Sequence, residues 1–291
     1  MPAVFECVPN VSEGRRADVI KAIADAAAGA DVVLLDTQSD AAHNRSVYTF
    51  VGSGDGVLGA AIRLAGAAVE RIDLRAHRGE HPRMGAVDVI PFVPVSGATM
   101  DDAVKLAHEC AREVWQRYQL PSYYYEFAAT RPERRDLANV RKGQFEGLLE
   151  AVKTPDRRPD VGDASLHPSA GIVAIGARNF LIAFNVNLAT SDLALAEKLA
   201  VAVRRRSGGL LGIKALGFTL SESVVQVSMN VVDVNATPLY RVTELIRREA
   251  AAVGVGVCGC ELVGLAPLAA IAETAAYYLH LDQIDPHAVT W

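Results

Sequence analysis

Two hydrophobic periods alternate along the chain. Val4 to Val8 is a short apolar run closed by Pro9-Asn10, and Ser12 stands where it could cap a helix. In that helix Val19, Ile20, Ile23, Ala26 and Ala27 recur at helical spacing as far as Gly29. Val32 to Leu35 reads as a buried strand, Asp36 to Arg45 is polar, and Ser46 to Gly52 reads as a further strand. Leu58, Ala61, Ile62, Ala65, Ala68, Val69 and Ile72 mark one face of a second helix. Val87 to Val95 is apolar but interrupted by Pro91 and Pro94, which predicts an edge or bulged strand rather than a central one. Thr99 with Asp101 and Asp102 predicts the cap and acidic first turn of a third helix reaching about Tyr118. Pro121 to Ala128, with Tyr123, Tyr124 and Tyr125 in series, fits one more strand. The stretch from Thr130 to Asp163 is the least hydrophobic, and its later part reads as a linker.

The second half repeats this outline. Phe180 to Leu188 is a strand, Ser191 caps a helix to about Arg205, and Lys214 to Leu220 and Val224 to Val232 are two strands. Thr237-Pro238 opens a helix closed by Gly254, and Val255 to Val263 is the last strand. Each half therefore reads strand, helix, strand, strand, helix, strand. This order predicts an α+β fold of two ferredoxin-like βαββαβ subdomains, residues 1–178 and 179–291, side by side with a ligand cleft between them.

Polar residues inside two of the second-half strands fall into rows. In Val225 to Val231 the odd positions are apolar, and Gln226, Ser228 and Asn230 share the other face. Asn185 and Asn187 share a face in the same way. Such rows form either a solvated sheet face or a floor for a ligand rich in donors and acceptors, such as a pterin ring.

The densest chemistry lies in His77-Arg78-Gly79-Glu80-His81-Pro82-Arg83-Met84-Gly85, between the second helix and the apolar run that follows. Its glycines and proline predict a loop, whose polar groups must face solvent, a partner or a ligand. The spacing of His77 and His81 could suggest a metal pair, but Gly79 and Pro82 oppose the helix that pair would need, so no metal is expected. What remains beside a plain solvated turn is a neutral-pH proton donor and acceptor next to fixed positive charge.

Composition narrows the function classes. A net charge of -5, with 22% charged and 51% hydrophobic residues in 291, is ordinary for a globular protein and argues against nucleic-acid or membrane-surface binding. The N-terminus lacks a leader pattern and no apolar run is long enough to span a bilayer, so a cytoplasmic protein is expected. Cys7, Cys110, Cys258 and Cys260 lie in apolar patterns and are expected as buried free thiols. The glycines of Gly171 to Gly176 and Gly208-Gly209 form neither a dinucleotide fingerprint nor a P-loop.

Several stretches resemble the formiminotransferase family. They are Glu6-Cys7-Val8-Pro9-Asn10 with Ser12-Glu13-Gly14, Asn44 to Gly52, and Gly79-Glu80-His81-Pro82-Arg83-Met84-Gly85-Ala86. Phe184 to Leu188, Gln226-Val227-Ser228 with Asn230, and Leu262 to Leu265 with Pro267-Leu268 complete the set. The resemblance implies transfer of the formimidoyl group of N-formimidoyl-L-glutamate to N5 of tetrahydrofolate, a co-substrate, in histidine breakdown, with no metal. It implies His81 as the catalytic acid/base and a folate-binding stretch at Gly162-Asp163-Ala164-Ser165-Leu166-His167-Pro168-Ser169-Ala170-Gly171. It also implies two α/β halves with a tunnel between them, a homodimer, and a separate formimidoyltetrahydrofolate cyclodeaminase downstream, since the animal proteins continue into such a domain. Gln38 stands where an acidic residue is expected in the animal proteins, and Glu261 where those have glutamine.

The chemistry of the transfer suggests further roles. N5 must lose a proton as it attacks the amidine carbon, and the glutamate nitrogen must gain one to leave; one imidazole, His81, could do both. Arg45 or Arg83 could hold substrate carboxylates by forked hydrogen bonds, Asn44 lies beside them, and Asn185, Asn187, Gln226 and Glu261 could read the pterin edge. Formyl transfer from N-formylglutamate, and a non-catalytic folate-binding module, are the alternatives.

Overall fold

A computed structural model describes residues 2–79 and 81–282. Glu80, part of the histidine-bearing string, and the tail from 283 lie outside the described residues. The chain divides into two compact units, residues 1–178 and 179–291, each with its own sheet and core. The fold is mixed α+β.

In the first unit the initial strand is broken into β1 (Val4–Cys7) and β2 (Asn10–Val11), followed by α1 (Ala17–Ala27), β3 (Val32–Asp40), β4 (Arg45–Gly52), α2 (Gly54–Arg71) and β5 (Val87–Ser96). This is the expected strand, helix, strand, strand, helix, strand order. α3 (Met100–Tyr118) and β6 (Ser122–Glu126) then lead through α4 (Leu137–Val140) and α5 (Gln144–Ala151) to β7 (Val173–Ala177). Across the sheet β3 pairs with β4, β4 with both β1 and β2, these with β5, and β5 with β7, which pairs with β6; the last two pairings are parallel.

Val87 to Val95 is not an edge strand, because β5 has neighbours on both sides, but it is the bulged strand that its prolines also allowed, with extra residues at Val95 opposite β1 and at Asp88 opposite β2. One apolar core joins the sheet to α1, α2 and α3, and a second joins Val89, Tyr123, Tyr125 and Ala174 to Val140 of α4 and Leu148 of α5. With both faces covered, β5 is apolar at consecutive rather than alternate positions. Its prolines are accommodated by irregularity in β5 itself and in the neighbour. Beside Pro91 the chain breaks between β1 and β2, with the Val8 N–H donating to the Pro91 carbonyl at 3.3 Å, and next to Pro94 β5 carries Val95 as an extra residue between the Val4–Ser96 and Phe5–Pro94 pairs.

Capping was partly legible. Thr99 and Asp102 form the reciprocal cap of α3 as expected. Ser12 is not the cap of α1: its hydroxyl donates to the Gly85 carbonyl at 2.7 Å, and the Glu13 carboxylate instead accepts from the Arg15 and Arg16 N–H groups ahead of the helix. The presumed linker is also corrected. Within it Arg134 is buried, with its guanidinium over the Tyr123 ring and donating to the Arg158 carbonyl.

The second unit runs β8 (Ile182–Leu188), α6 (Leu193–Val203), β9 (Ile213–Ser221), β10 (Val224–Val231), α7 (Leu239–Ala251), β11 (Val257–Val263) and α8 (Leu268–Leu279). Its sheet is antiparallel throughout, in the order β11-β8-β10-β9. Asp192, not Ser191, caps α6, its carboxylate accepting from the Ala194 and Leu195 N–H groups. Ile182, Phe184, Val186 and Leu188 share a core with residues of α6 and α7, which leaves Asn185 and Asn187 on the opposite sheet face. Cys7 and Cys110 are buried thiols as expected, whereas Cys258 and Cys260 are exposed on β11. Among the described residues no helix is long and apolar enough to cross a membrane.

Candidate active site

The ends of β2, β4 and β5 lie side by side and bring together Asn10, Arg45 and Asp88. Asp88 is fully buried. One of its carboxylate oxygens accepts from the Met84 N–H at 2.9 Å, and the other from Arg45 Nη1 at 3.0 Å and Arg141 Nη2 at 2.5 Å. Burial alone would raise the Asp88 pKa; Arg141 and Arg45 outweigh it and hold the carboxyl below its usual range. Arg45 also donates from Nε and Nη2 to Asn10 Oδ1, at 3.1 and 2.9 Å. Its burial pulls its pKa down to about 10, which leaves it charged at neutral pH.

His81 sits against this cluster. Its Nδ1 donates to the Pro82 carbonyl at 2.7 Å, which assigns the ring proton to Nδ1 and the lone pair to Nε2. Nε2 has no partner among the described residues. Arg45 Nη1 is 3.2 Å from Nδ1, an electrostatic contact between two donors. Burial, with the charges of Arg45 and Arg141, pulls the His81 pKa down to about 4, against smaller opposing effects of Asp88 and the Pro82 carbonyl. The imidazole is therefore neutral at pH 7 and presents a free basic nitrogen.

Of the other described loop residues, Arg78, Gly79 and Pro82 are exposed, whereas His77 and Arg83 face protein partners, one of the outcomes expected of the loop. His77 is buried and donates from Nε2 to the Asn44 carbonyl at 3.0 Å, so its Nδ1 accepts from Arg83 Nε at 3.3 Å. Arg83 grips Glu146 of α5 with both terminal nitrogens, at 2.8 and 2.6 Å, and this pairing lowers the Glu146 pKa to about 2. All three Arg83 nitrogens are engaged, which makes it a brace for the loop. Asn44, in the left-handed region at φ 50°, accepts from the Gly14 N–H and donates to the Arg78 carbonyl.

The stretch from Gly162 to Gly171 lies against the same loop. The Leu74 N–H donates to the Ser169 carbonyl and the Ala86 N–H to the Ala170 carbonyl, both at 2.8 Å, and Gly85 bridges to Gly171. His167 Nδ1 accepts from the Ala170 N–H at 3.0 Å. A cavity of about 300 Å³ opens beside the start of the stretch, lined by Arg158, Pro159, Gly162, Asp163 and Ala164. Gly171 has a positive φ of 74°, and a Cβ there would stand 2.2 Å from the Met84 carbonyl oxygen. Gly171→Ala is therefore expected to destabilise the protein by about 2 kcal/mol or more and to lower activity by displacing Met84, the backbone donor to Asp88. Urea denaturation and a turnover assay would check both.

In the second unit the four polar candidates come together across three strands. Asn185 Nδ2 donates to Glu261 Oε2 at 3.0 Å; Gln226 Nε2 donates to the same oxygen at 3.2 Å and to Asn187 Oδ1 at 2.9 Å. The row is thus a connected network, with the second Glu261 oxygen and the Asn187 amide nitrogen left for a ligand among the described residues.

Sequence reading did not single out Asp88, Arg141, Asn10 or His43 as site residues. A lone aspartate in the apolar run Val87-Asp88-Val89-Ile90 was a usable signal, since a buried charge needs partners. Arg141 carried none, because it stands in the segment read as leading into a linker. The backbone on either side of it is held by Arg157, which donates to the carbonyls of Asn139, Val140 and Lys142. Among the described residues no group of acidic, histidine or cysteine side chains is placed to hold a metal ion.

Family models cover both units. That of the formiminotransferase domain, N-terminal subdomain, matches residues 4–178, and that of the formiminotransferase domain matches residues 183–285. The chain belongs to the formiminotransferase family. Among its relatives, the glutamate formimidoyltransferase of Streptococcus pyogenes is 46% identical over 99% of this chain and 97% of its own length. That of Thermoplasma acidophilum is 47% identical over 97% of this chain and 94% of its own. The formimidoyltransferase-cyclodeaminase of Rattus norvegicus is 41% identical over 98% of this chain, which spans 54% of that longer protein. As a formiminotransferase, the chain has the loop of His81 and the strand ends of Asn10, Arg45 and Asp88 within its N-terminal subdomain.

Proposed function

We propose that the chain is a glutamate formimidoyltransferase, moving the formimidoyl group of N-formimidoyl-L-glutamate to N5 of tetrahydrofolate and releasing L-glutamate. The observation that carries the reading is the state of His81: Nδ1 tied to the Pro82 carbonyl, Nε2 free, and buried positive charge beside it. Such a ring is suited to taking a proton from an attacking amine. When N5 adds to the amidine carbon it becomes an ammonium within a tetrahedral adduct, far more acidic than the parent amine, so a weak neutral base suffices. His81 accepts that proton.

The remaining assignments are part of the same proposal. Arg45 fixes the position of His81 and, with Arg141, offers positive charge to the substrate carboxylates. The stretch from Gly162 to Gly171, touching the His81 loop, would hold part of the folate. Asn185, Asn187, Gln226 and Glu261 would read the polar edge of the pterin. The strand order β11-β8-β10-β9, with α6 and α7 on one face, supports a ferredoxin-like second unit. A homodimer is part of the proposal through the family resemblance alone.

The test is a spectrophotometric assay of the purified protein with tetrahydrofolate and N-formimidoyl-L-glutamate, following the 5-formimidoyl product through its acid conversion to methenyl-tetrahydrofolate. Turnover with this donor is expected, at least about tenfold faster than with N-formylglutamate, because the loss of one recognised group costs about that much or more. Turnover with the formyl donor alone would overturn the donor assignment, and folate binding without turnover on either would overturn the enzymatic one.

A further inference from the structure

A second imidazole lies near His81. The rings of His43 and His81 have their centroids 6.3 Å apart and are inclined at 66°. His43 occupies the turn between β3 and β4, one residue before Asn44 and two before Arg45. Its Nδ1 is 3.1 Å from Asp40 Oδ2, and its backbone N–H donates to Asp40 Oδ1 at 2.8 Å, so one carboxylate holds both the ring and the main chain. The position is also fixed from the other side: a Cβ on Gly79 would stand 2.3 Å from the His43 carbonyl oxygen, which shows how closely the His81 loop rests on this turn. The His43 side chain is still 45% exposed. Among the described residues its Nε2, like that of His81, has no partner and is the ring nitrogen left for a reactant.

We propose that His43, oriented by Asp40, is a second catalytic imidazole that delivers the proton to the departing glutamate nitrogen. The proposal rests on the formimidoyl-transfer reading and divides between two rings the work that reading leaves to one. N5 attacks the amidine carbon and a C–N bond forms; His81 Nε2 takes the N5 proton. His43, carrying its second proton, gives the Nε2 proton to the glutamate nitrogen. The bond between carbon and that nitrogen then breaks, with its electron pair leaving on glutamate. His81 ends protonated and His43 neutral, and passage of one proton between them through water restores the starting state. Asp40 acts through His43, fixing the tautomer and aiming the ring, as carboxylates do beside catalytic histidines.

The test is His43→Gln, with Asp40→Asn beside it, in the full-length protein. Turnover of N-formimidoyl-L-glutamate by His43→Gln is expected to fall about 100-fold, with KM for tetrahydrofolate changed by less than about threefold. The ¹⁵N isotope effect at the glutamate nitrogen should rise, because unassisted C–N cleavage becomes slower than attack. Asp40→Asn should show a smaller fall with the same sign of isotope change. Turnover within about threefold of the parent protein, or a fall with an unchanged isotope effect, would overturn the proposal; the second result would leave His43 only a support for the turn. Absence of turnover in the parent protein itself would overturn the underlying function, and this assignment with it.

Discussion

His81→Ala is expected to lower turnover by roughly 100- to 10,000-fold while leaving tetrahydrofolate binding unchanged. The ring meets the protein through one carbonyl bond, its contact with Arg45 and the edge-on ring of His43, so its removal leaves the Arg45–Asp88–Arg141 cluster in place. A fall in kcat with unchanged folate affinity is the signature of an interaction made in the transition state rather than in substrate binding. Full activity in the variant would remove His81 from the chemistry, and lost folate binding would make it a structural residue.

The same ring makes a second prediction through pH. Its pKa falls from an ordinary 6.5 to about 4 on folding, so between those values the unfolded chain binds a proton that the folded one does not. Stability should therefore be full above about pH 6.5 and decline as pH falls toward 4, by on the order of 1–3 kcal/mol from this group. Denaturant midpoints of the parent protein and His81→Ala across this range would show the difference; parallel curves would mean that the ring titrates normally. The acid limb of kcat/KM should likewise lie near pH 4 rather than 6.5.

Period and punctuation told much about the fold. β6 was legible because the alternation of Tyr123, Tyr124 and Tyr125 between two cores needs only a strand. The prolines of β5 marked a bulged strand but could not tell a central strand from an edge one, because its neighbours β1, β2 and β7 come from stretches distant in sequence. The row of Asn185, Asn187 and Gln226 was visible as a face, since a period of two separates it from apolar neighbours. That Glu261 closes it into a network depended on β11 pairing with β8, a register that local pattern does not encode. In the histidine-bearing loop the composition pointed to His81 but not to the division of labour within it. His77 and Arg83 turned out to be internal braces, because Asn44 and Glu146, the partners that make their burial tolerable, lie 33 and 63 residues away.

Those partnerships bear most heavily on Asp88. Two guanidiniums converge on this one fully buried carboxylate, and Arg141 Nε is already buried without a hydrogen-bond partner among the described residues. Asp88→Asn keeps the shape and can still accept from the Met84 N–H, but it leaves two buried positive charges facing a neutral amide. Removing one member of a buried ion cluster costs about 3–5 kcal/mol, far more than deleting an exposed pair. The variant is therefore expected to lose stability on that scale and to lose turnover as Arg45 and the His81 beside it shift. Its pH dependence separates the cause from simple misfolding. Because the folded Asp88 pKa lies below its ordinary 3.8, the stabilisation is present above that value and is lost as pH falls through the lower folded one. The parent protein should thus lose stability in two acid windows, that of His81 from about 6.5 to 4 and that of Asp88 below about 4, and the asparagine variant should lack the second. A variant within about 0.5 kcal/mol of the parent protein would show that the two arginines find other partners or water, and that the charge of Asp88 is dispensable to the site.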